Sequence, residues 1–114
     1  MIQIFGTAKC KVTRAARRFY SDRRIAVQFV DLGTKGLSRG ELQSVARAVG
    51  GIRALYDHEK DPTVRYAAPT DTQLVELLLE HPGWLRTPIV RDGARAAVGD
   101  AAEKWKELAA PPSE

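Results

Sequence analysis

The sequence predicts an α/β protein: a four-stranded mixed sheet covered by helices, with a helical insert between an N-terminal βαβ unit and a C-terminal β-hairpin and helix. Three observations carry this prediction. Strand-like "MIQIF" and "IAVQFVDL" flank a helix-spaced run that starts at Val12. Two segments with capping-box spacing follow. The stretch "TPIVRDGARAAVG" then reads as two short strands around a tight turn.

Taken in order, "MIQIF" alternates and is rich in β-forming residues until Gly6 and Thr7 break the pattern. From there Val12, Ala15, Ala16, Phe19 and Tyr20 recur at the spacing of one buried helix face, which puts Cys10 at the strand-to-helix turn. "IAVQFVDL" is apolar enough for an interior strand, parallel to the first across a right-handed crossover. The insert, approximately residues 38–83, opens with Ser38 and Glu41 at capping-box spacing. It continues with Leu42, Val45, Ala46 and Val49 on one face and stops at Gly50. "IRALYDHEKDPTVRYAAP" has weaker periodicity and reads as a short helical turn followed by a loop around Pro62. "TDTQLVELLLEHPG" repeats the capping box with Thr70 and Gln73, buries Leu74, Leu77 and Leu78, and ends at Pro82 and Gly83. The hairpin pairs strands around Ile89 to Val90 and Ala94 to Val98 across a turn at Asp92-Gly93. A last helix takes Asp100 and Glu103 at N-cap and N3 and gives Trp105 and Leu108 to the core, before a frayed "APPSE".

Composition bounds the function. A chain of 114 residues fits one domain spanning residues 1–114 and can bury a core without disulfides or a structural metal. Hydrophobic residues at 44% and charged residues at 28% exclude the disordered and membrane classes. The longest apolar runs fall far short of the ~20 residues a spanning helix needs. "MIQIF" starts without a basic segment or a long apolar one, so the expected compartment is the cytoplasm, with no membrane partner. A single cysteine rules out an internal disulfide and a four-cysteine zinc site. His58 and His81 are too far from it and from each other in sequence to read as a ligand pair, so no metal is expected. They read as surface residues, and Trp84 and Trp105 as packing residues.

The net charge of +4 is uneven: Lys9, Lys11, Arg14, Arg17, Arg18, Arg23 and Arg24 face only Asp22 in the first 24 residues. That favours anions near this end, although a solvated helix face is the plainer reading, and there is no strong nucleic-acid signal. The chemistry concentrates at "GTAKCKVTRAARRF". A thiol at a helix start feels the partial positive charge of unpaired N–H groups, and Lys9 and Lys11 push the same way. Arg14, four residues on, can reach an anion beside the sulfur, and Thr13 is the only hydroxyl in that turn. Such settings give cysteine pKa values of about 3.5–7.5, which makes Cys10 a candidate nucleophile, against the alternative of an inert buried thiol. Pro88 in "LRTPIV" belongs at a strand's first residue or an edge, and its peptide bond can be trans or cis.

The ordered set of N-terminal strand, Gly-x-x-x-Cys turn, "FVDL", "GLSRGELQSVARAVG", "TPIVRDGARAAVG" and "EKWKEL" resembles the thioredoxin-fold family of glutaredoxin-linked arsenate reductases. That family is related to disulfide-stress regulators that bind RNA polymerase and to other reductase-like proteins. The resemblance implies that Cys10 is the nucleophile, that Arg14 and Thr13 match family positions beside it, and that Pro88 is cis. Pro88 and Thr87 would then face Cys10. It also implies no bound cofactor, an external thiol such as glutathione as co-substrate, and glutaredoxin as a partner.

The departures bear on the substrate. The arsenate reductases carry an arginine immediately before the cis-proline, where this chain has Thr87, with Arg86 one position earlier. Two further oxyanion-binding arginines of that family fall near Asp57 and Val98, with Arg53 and Arg95 close by. The regulators' Cys-x-x-Cys becomes "CKVT", so an oxidised Cys10 must be resolved by an outside thiol. Three functions follow as expectations. The first is a monothiol reductase in which Cys10 attacks an oxyanion or a glutathionylated substrate, with Lys11, Thr13, Arg14, Arg86, Thr87 and Pro88 around it. The second is a non-catalytic module that binds RNA polymerase or another protein. The third is a fold relative with a buried, inert Cys10.

Overall fold

The computed structural model describes residues 2–61 and 69–109. The expected loop around Pro62 and the "APPSE" tail lie largely outside these residues. Strands β1 (Ile2–Gly6), β2 (Val27–Asp31), β3 (Ile89–Asp92) and β4 (Arg95–Val98) form one sheet in the order β2-β1-β3-β4. β1 pairs in parallel with β2 and antiparallel with β3, and β3 pairs antiparallel with β4, so the sheet is mixed as expected, but β2 is an edge strand and not an interior one.

Side chains that alternate across the pleat build two cores. Ile2 and Ile4 of β1, Val90 of β3 and Ala97 of β4 pack with Ala16 and Tyr20 of helix α1 (Lys11–Asp22) and with Trp105 and Leu108 of α4 (Ala102–Ala109). Phe5 and Ile89 face the other way, toward the insert, whose helices α2 (Arg39–Val49) and α3 (Asp71–Glu80) supply Leu42, Val45, Leu74 and Leu78. The buried Tyr20 hydroxyl donates 2.7 Å to the carbonyl of Trp105 and ties α1 to α4, and burial pushes that phenol up to about 12. Without that bond the hydroxyl would be a stranded polar group in the core.

Both capping boxes form. The Ser38 hydroxyl accepts from the Glu41 N–H at 3.1 Å, and the Thr70 hydroxyl accepts from the Gln73 N–H at 3.2 Å, while each N3 side chain returns the bond to its cap. Leu77 is only half-buried, and Ala15 of α1 is exposed, so both helices bury narrower faces than their spacing suggested. The "IRAL" and "HEK" segments are short 3₁₀ turns. Trp84 is half-buried and stacks on the exposed His81 ring at 3.9 Å.

Two boundaries differ from expectation. Asp92 pairs with Arg95, so the hairpin turns at Gly93-Ala94 rather than Asp92-Gly93. Gly93 takes the left-handed conformation (φ 62°) that a two-residue hairpin asks of its first central residue. Helix α4 begins at Ala102, with the Trp105 N–H on the Ala101 carbonyl, so Asp100 is not its cap. Gly99, at φ 77°, first turns the chain out of β4, and Asp100 is left exposed.

Candidate active site at the Cys10 turn

Cys10 is the N-cap of α1, in extended conformation, with its thiol partly exposed at the helix start. Its N–H closes a turn onto the Thr7 carbonyl at 3.1 Å, and its carbonyl accepts from the Arg14 N–H at 3.1 Å. The turn is tight because Gly6 permits it. A Cβ at Gly6 would lie 2.4 Å from Thr13 Oγ1 and 2.6 Å from Thr13 Cγ2. Thr13 is therefore fully buried against the end of β1, directly under the first turn of α1.

Across the sheet, the chain enters β3 through a cis peptide bond between Thr87 and Pro88. This segment brings the Thr87 hydroxyl to donate to Cys10 Sγ at 3.2 Å. Residues 77 apart in sequence thus meet at the sulfur.

Partial burial pushes the thiol up, but donors outweigh it. The hydroxyls of Thr13 and Thr87 and the N–H groups of Thr13 and Val12 bring Cys10 down from 9.0 to about 7. Thr13 Oγ1 has no settled hydrogen-bond partner, so its proton is free to rotate toward the sulfur once charge develops there. About half of the thiol is ionised near neutral pH. The sequence reading placed this effect on the helix start and on Lys9 and Lys11. The helix-start contribution is present, through the first-turn N–H groups, and the two threonine hydroxyls add to it.

Arg14 does not reach over the sulfur. Its Nη1 donates to the carbonyls of Ala8 at 2.9 Å and Lys9 at 3.2 Å, so it braces the turn that carries Cys10. Lys11 is exposed on the helix start, where it adds positive charge near the thiol opening. Arg86 is exposed and lines a cleft of about 320 Å³ with Thr87, Gly99, His58 and the carboxylates Asp57, Glu59 and Asp100. Arg53 is engaged by Asp71 at 2.8 Å and by the Pro69 carbonyl at 2.8 Å. Arg95 is held by Asp92 at 2.8 Å. Both serve the fold around them and do not face Cys10.

Thr87 is the residue that spacing alone could not assign, because its partner lies in another element. Among the described residues there is no group of three His, Cys, Asp or Glu arranged to hold a metal ion, and no helix long and apolar enough to cross a membrane.

A lone thiol at a helix N-cap, facing a cis-proline segment at the end of a four-stranded mixed sheet, defines a protein with the thioredoxin-like fold. The chain is similar to solved proteins across nearly its full length. An arsenate reductase from Vibrio cholerae is 23% identical with a TM-score of 0.79, covering 94% of this chain and 96% of the other. A candidate arsenate reductase from Yersinia pestis is 20% identical with a TM-score of 0.82, covering 94% and 99%. A Bacteroides fragilis protein described as related to the ArsC family is 15% identical with a TM-score of 0.83, covering 94% and 96%. No curated protein sequence matches significantly. The ArsC family model matches residues 5–108, and the chain belongs to that family, a thiol oxidoreductase family with the thioredoxin-like fold.

Proposed function

We propose that the protein is a monothiol reductase that acts on mixed disulfides of the glutathione type and is regenerated by an external thiol. The observation that carries this reading is the Thr87 hydroxyl donating 3.2 Å to Cys10 Sγ at the α1 N-cap. Neutral donors hold the thiolate, while the Arg14 guanidinium is bound to the carbonyls of Ala8 and Lys9.

In the first step the Cys10 thiolate attacks the glutathione sulfur of a glutathionylated substrate. A new Sγ–S bond forms as the old disulfide breaks, and the electron pair leaves on the substrate sulfur, which takes a proton from water. A second glutathione thiolate, supplied freely or through a glutaredoxin, then attacks the mixed disulfide on Cys10. It releases the Cys10 thiolate and oxidised glutathione. The substrate disulfide has gained two electrons and two glutathione sulfurs have become one disulfide.

The cleft beside Thr87 suits a zwitterionic tripeptide. Arg86 offers a fork to a carboxylate, and Asp57, Glu59 and Asp100 offer partners to an ammonium. The same carboxylates work against a tetrahedral oxyanion such as arsenate, which lacks a second guanidinium here. Arsenate reduction is therefore the lesser activity. The test is turnover of a glutathionylated peptide with glutathione, run beside an arsenate assay. Activity on the peptide that is lost in Cys10→Ser supports the reading. Arsenate turnover exceeding peptide turnover, or peptide turnover surviving in Cys10→Ser, overturns it.

A further inference from the structure

Toward the far end of α1, whose last residue Asp22 is about 18 Å from Cys10 at ~1.5 Å per residue, lies a second and larger feature. It is an open cleft of about 670 Å³ lined by Arg17, Arg18, Ser21, Arg24, Ile25, Ala26 and Val27. That volume lies within the range of about 300–1,000 Å³ usual for small-molecule sites. Its lining holds three guanidinium groups and no carboxylate, and the nearby Asp22 does not line it.

The arginines elsewhere are mostly engaged. Arg39 binds Glu76, Arg53 binds Asp71, Arg91 binds Gln3 and Arg95 binds Asp92. Among the described residues, Arg18 and Arg24 take part in no ion pair or side-chain hydrogen bond. Arg17 lies over the Phe29 ring at 4.1 Å from its centroid, a cation–π contact that restrains the guanidinium without neutralising its charge.

The backbone gives an independent sign. The Arg24 N–H bonds the Ser21 carbonyl and the Ile25 N–H bonds the Tyr20 carbonyl, the pattern of a helix end that calls for glycine at the turning residue. The residue there is Arg24, the only non-glycine residue at positive φ (56°) among those described. An arginine occupies a conformation that disfavours it, beside two other unpaired or stacked arginines. The same two bonds occupy helix-end carbonyls that would otherwise repel an anion.

We propose that this cleft binds a small molecule bearing two or more phosphate groups, gripped by Arg17, Arg18 and Arg24 over the apolar floor of Ile25, Ala26 and Val27. Planar guanidinium forks match phosphate oxygens two at a time. A nucleic-acid strand fits the cleft less well. Single strands need free aromatic faces for stacking, and here Arg17 already covers Phe29 and Arg23 covers Phe19 at 3.6 Å.

The experiment is calorimetric titration of the protein with inorganic tripolyphosphate at physiological salt. Arg18→Ala, Arg24→Gly and, as an equal change of charge on another helix, Arg47→Ala are compared with wild type. Saturable binding to one site is expected, weakened about tenfold or more in Arg18→Ala and Arg24→Gly and unchanged in Arg47→Ala. Glycine suits the left-handed position, so Arg24→Gly should melt at the same temperature or higher, and a loss of binding cannot then be assigned to unfolding. Its Cys10 alkylation profile should also match wild type, which separates this cleft from the thiol site. The proposal is overturned by the absence of saturable binding, by wild-type affinity in Arg24→Gly, or by an equal loss in Arg47→Ala. Tighter, arginine-dependent binding of single-stranded RNA than of tripolyphosphate overturns it too.

Discussion

Two segments meet at Cys10 and contribute unequally. The turn into α1, residues 6–14, supplies the sulfur, two N–H groups and the Thr13 hydroxyl, packed so closely that Gly6 has no room for a methyl group. The segment before β3 supplies one hydroxyl from Thr87, while its Arg86 lines an acid-rimmed cleft. The first segment lowers the thiol's pKa, and the second adds one donor and the cleft beside it. A sulfur whose charge is held by neutral donors supports the proposed preference for sulfur exchange over oxyanion reduction.

The comparison breaks most completely with Cys10→Ser, which should reduce thiol-dependent turnover of a glutathionylated peptide to background while the fold stays intact by circular dichroism. Next in size is Gly6→Ala. Forcing a methyl group against Thr13 should cost about 1–3 kcal/mol in urea unfolding and disturb the Cys10 titration as well. Thr87→Val and Thr13→Val each remove one donor, so each should raise the alkylation midpoint of Cys10 from about 7 toward 9.0. They should differ in stability. Thr13 Oγ1 is buried without a settled partner, so at pH 6, where the thiol is protonated, Thr13→Val should unfold at the same urea concentration as wild type or a higher one. Arg14→Ala should cost about 1 kcal/mol through its lost carbonyl bonds and move the Cys10 midpoint less than Thr87→Val does, because Arg14 holds the turn and not the sulfur.

The smallest effect is on stability against pH. The folded-state thiol ionises at about 7 and the reference thiol at 9.0, so the folded state binds fewer protons between those values. Wild type should gain stability over Cys10→Ser as pH rises from about 7 to 9, keep that gain above it, and lose it as pH falls through 7. Urea unfolding at pH 6 and pH 9.5 reads the sign directly.

What the residues themselves disclose is local, and the cis Pro88 and the meeting of Thr87 with Cys10 follow only from the family resemblance. Ser38 with Glu41 and Thr70 with Gln73 marked two helix starts because a capping box is complete within four residues. Cys10 falls at the turn into α1 because the strand pattern breaks at Gly6 and the helical spacing begins at Val12. The hairpin slipped by one residue because Asp92-Gly93 and Gly93-Ala94 both supply a glycine, and only the pairing of Asp92 with Arg95 chooses between them. The origin of the Cys10 shift was legible only in part. First-turn N–H groups follow from the helix, whereas the Thr87 contact joins residues 77 apart and rests on the sheet order. Lysines flanking a cysteine in sequence need not face its sulfur in space. Arg14 also had the spacing to reach an anion, but the carbonyls of Ala8 and Lys9 were nearer partners.

The most direct test of the central claim is the rate of Cys10 alkylation against pH in wild type, Thr87→Val and Lys11→Ala. The account expects a wild-type midpoint near 7 that rises clearly in Thr87→Val and moves less in Lys11→Ala. A wild-type midpoint at 9.0 or above, or a shift in Lys11→Ala as large as that in Thr87→Val, would contradict it.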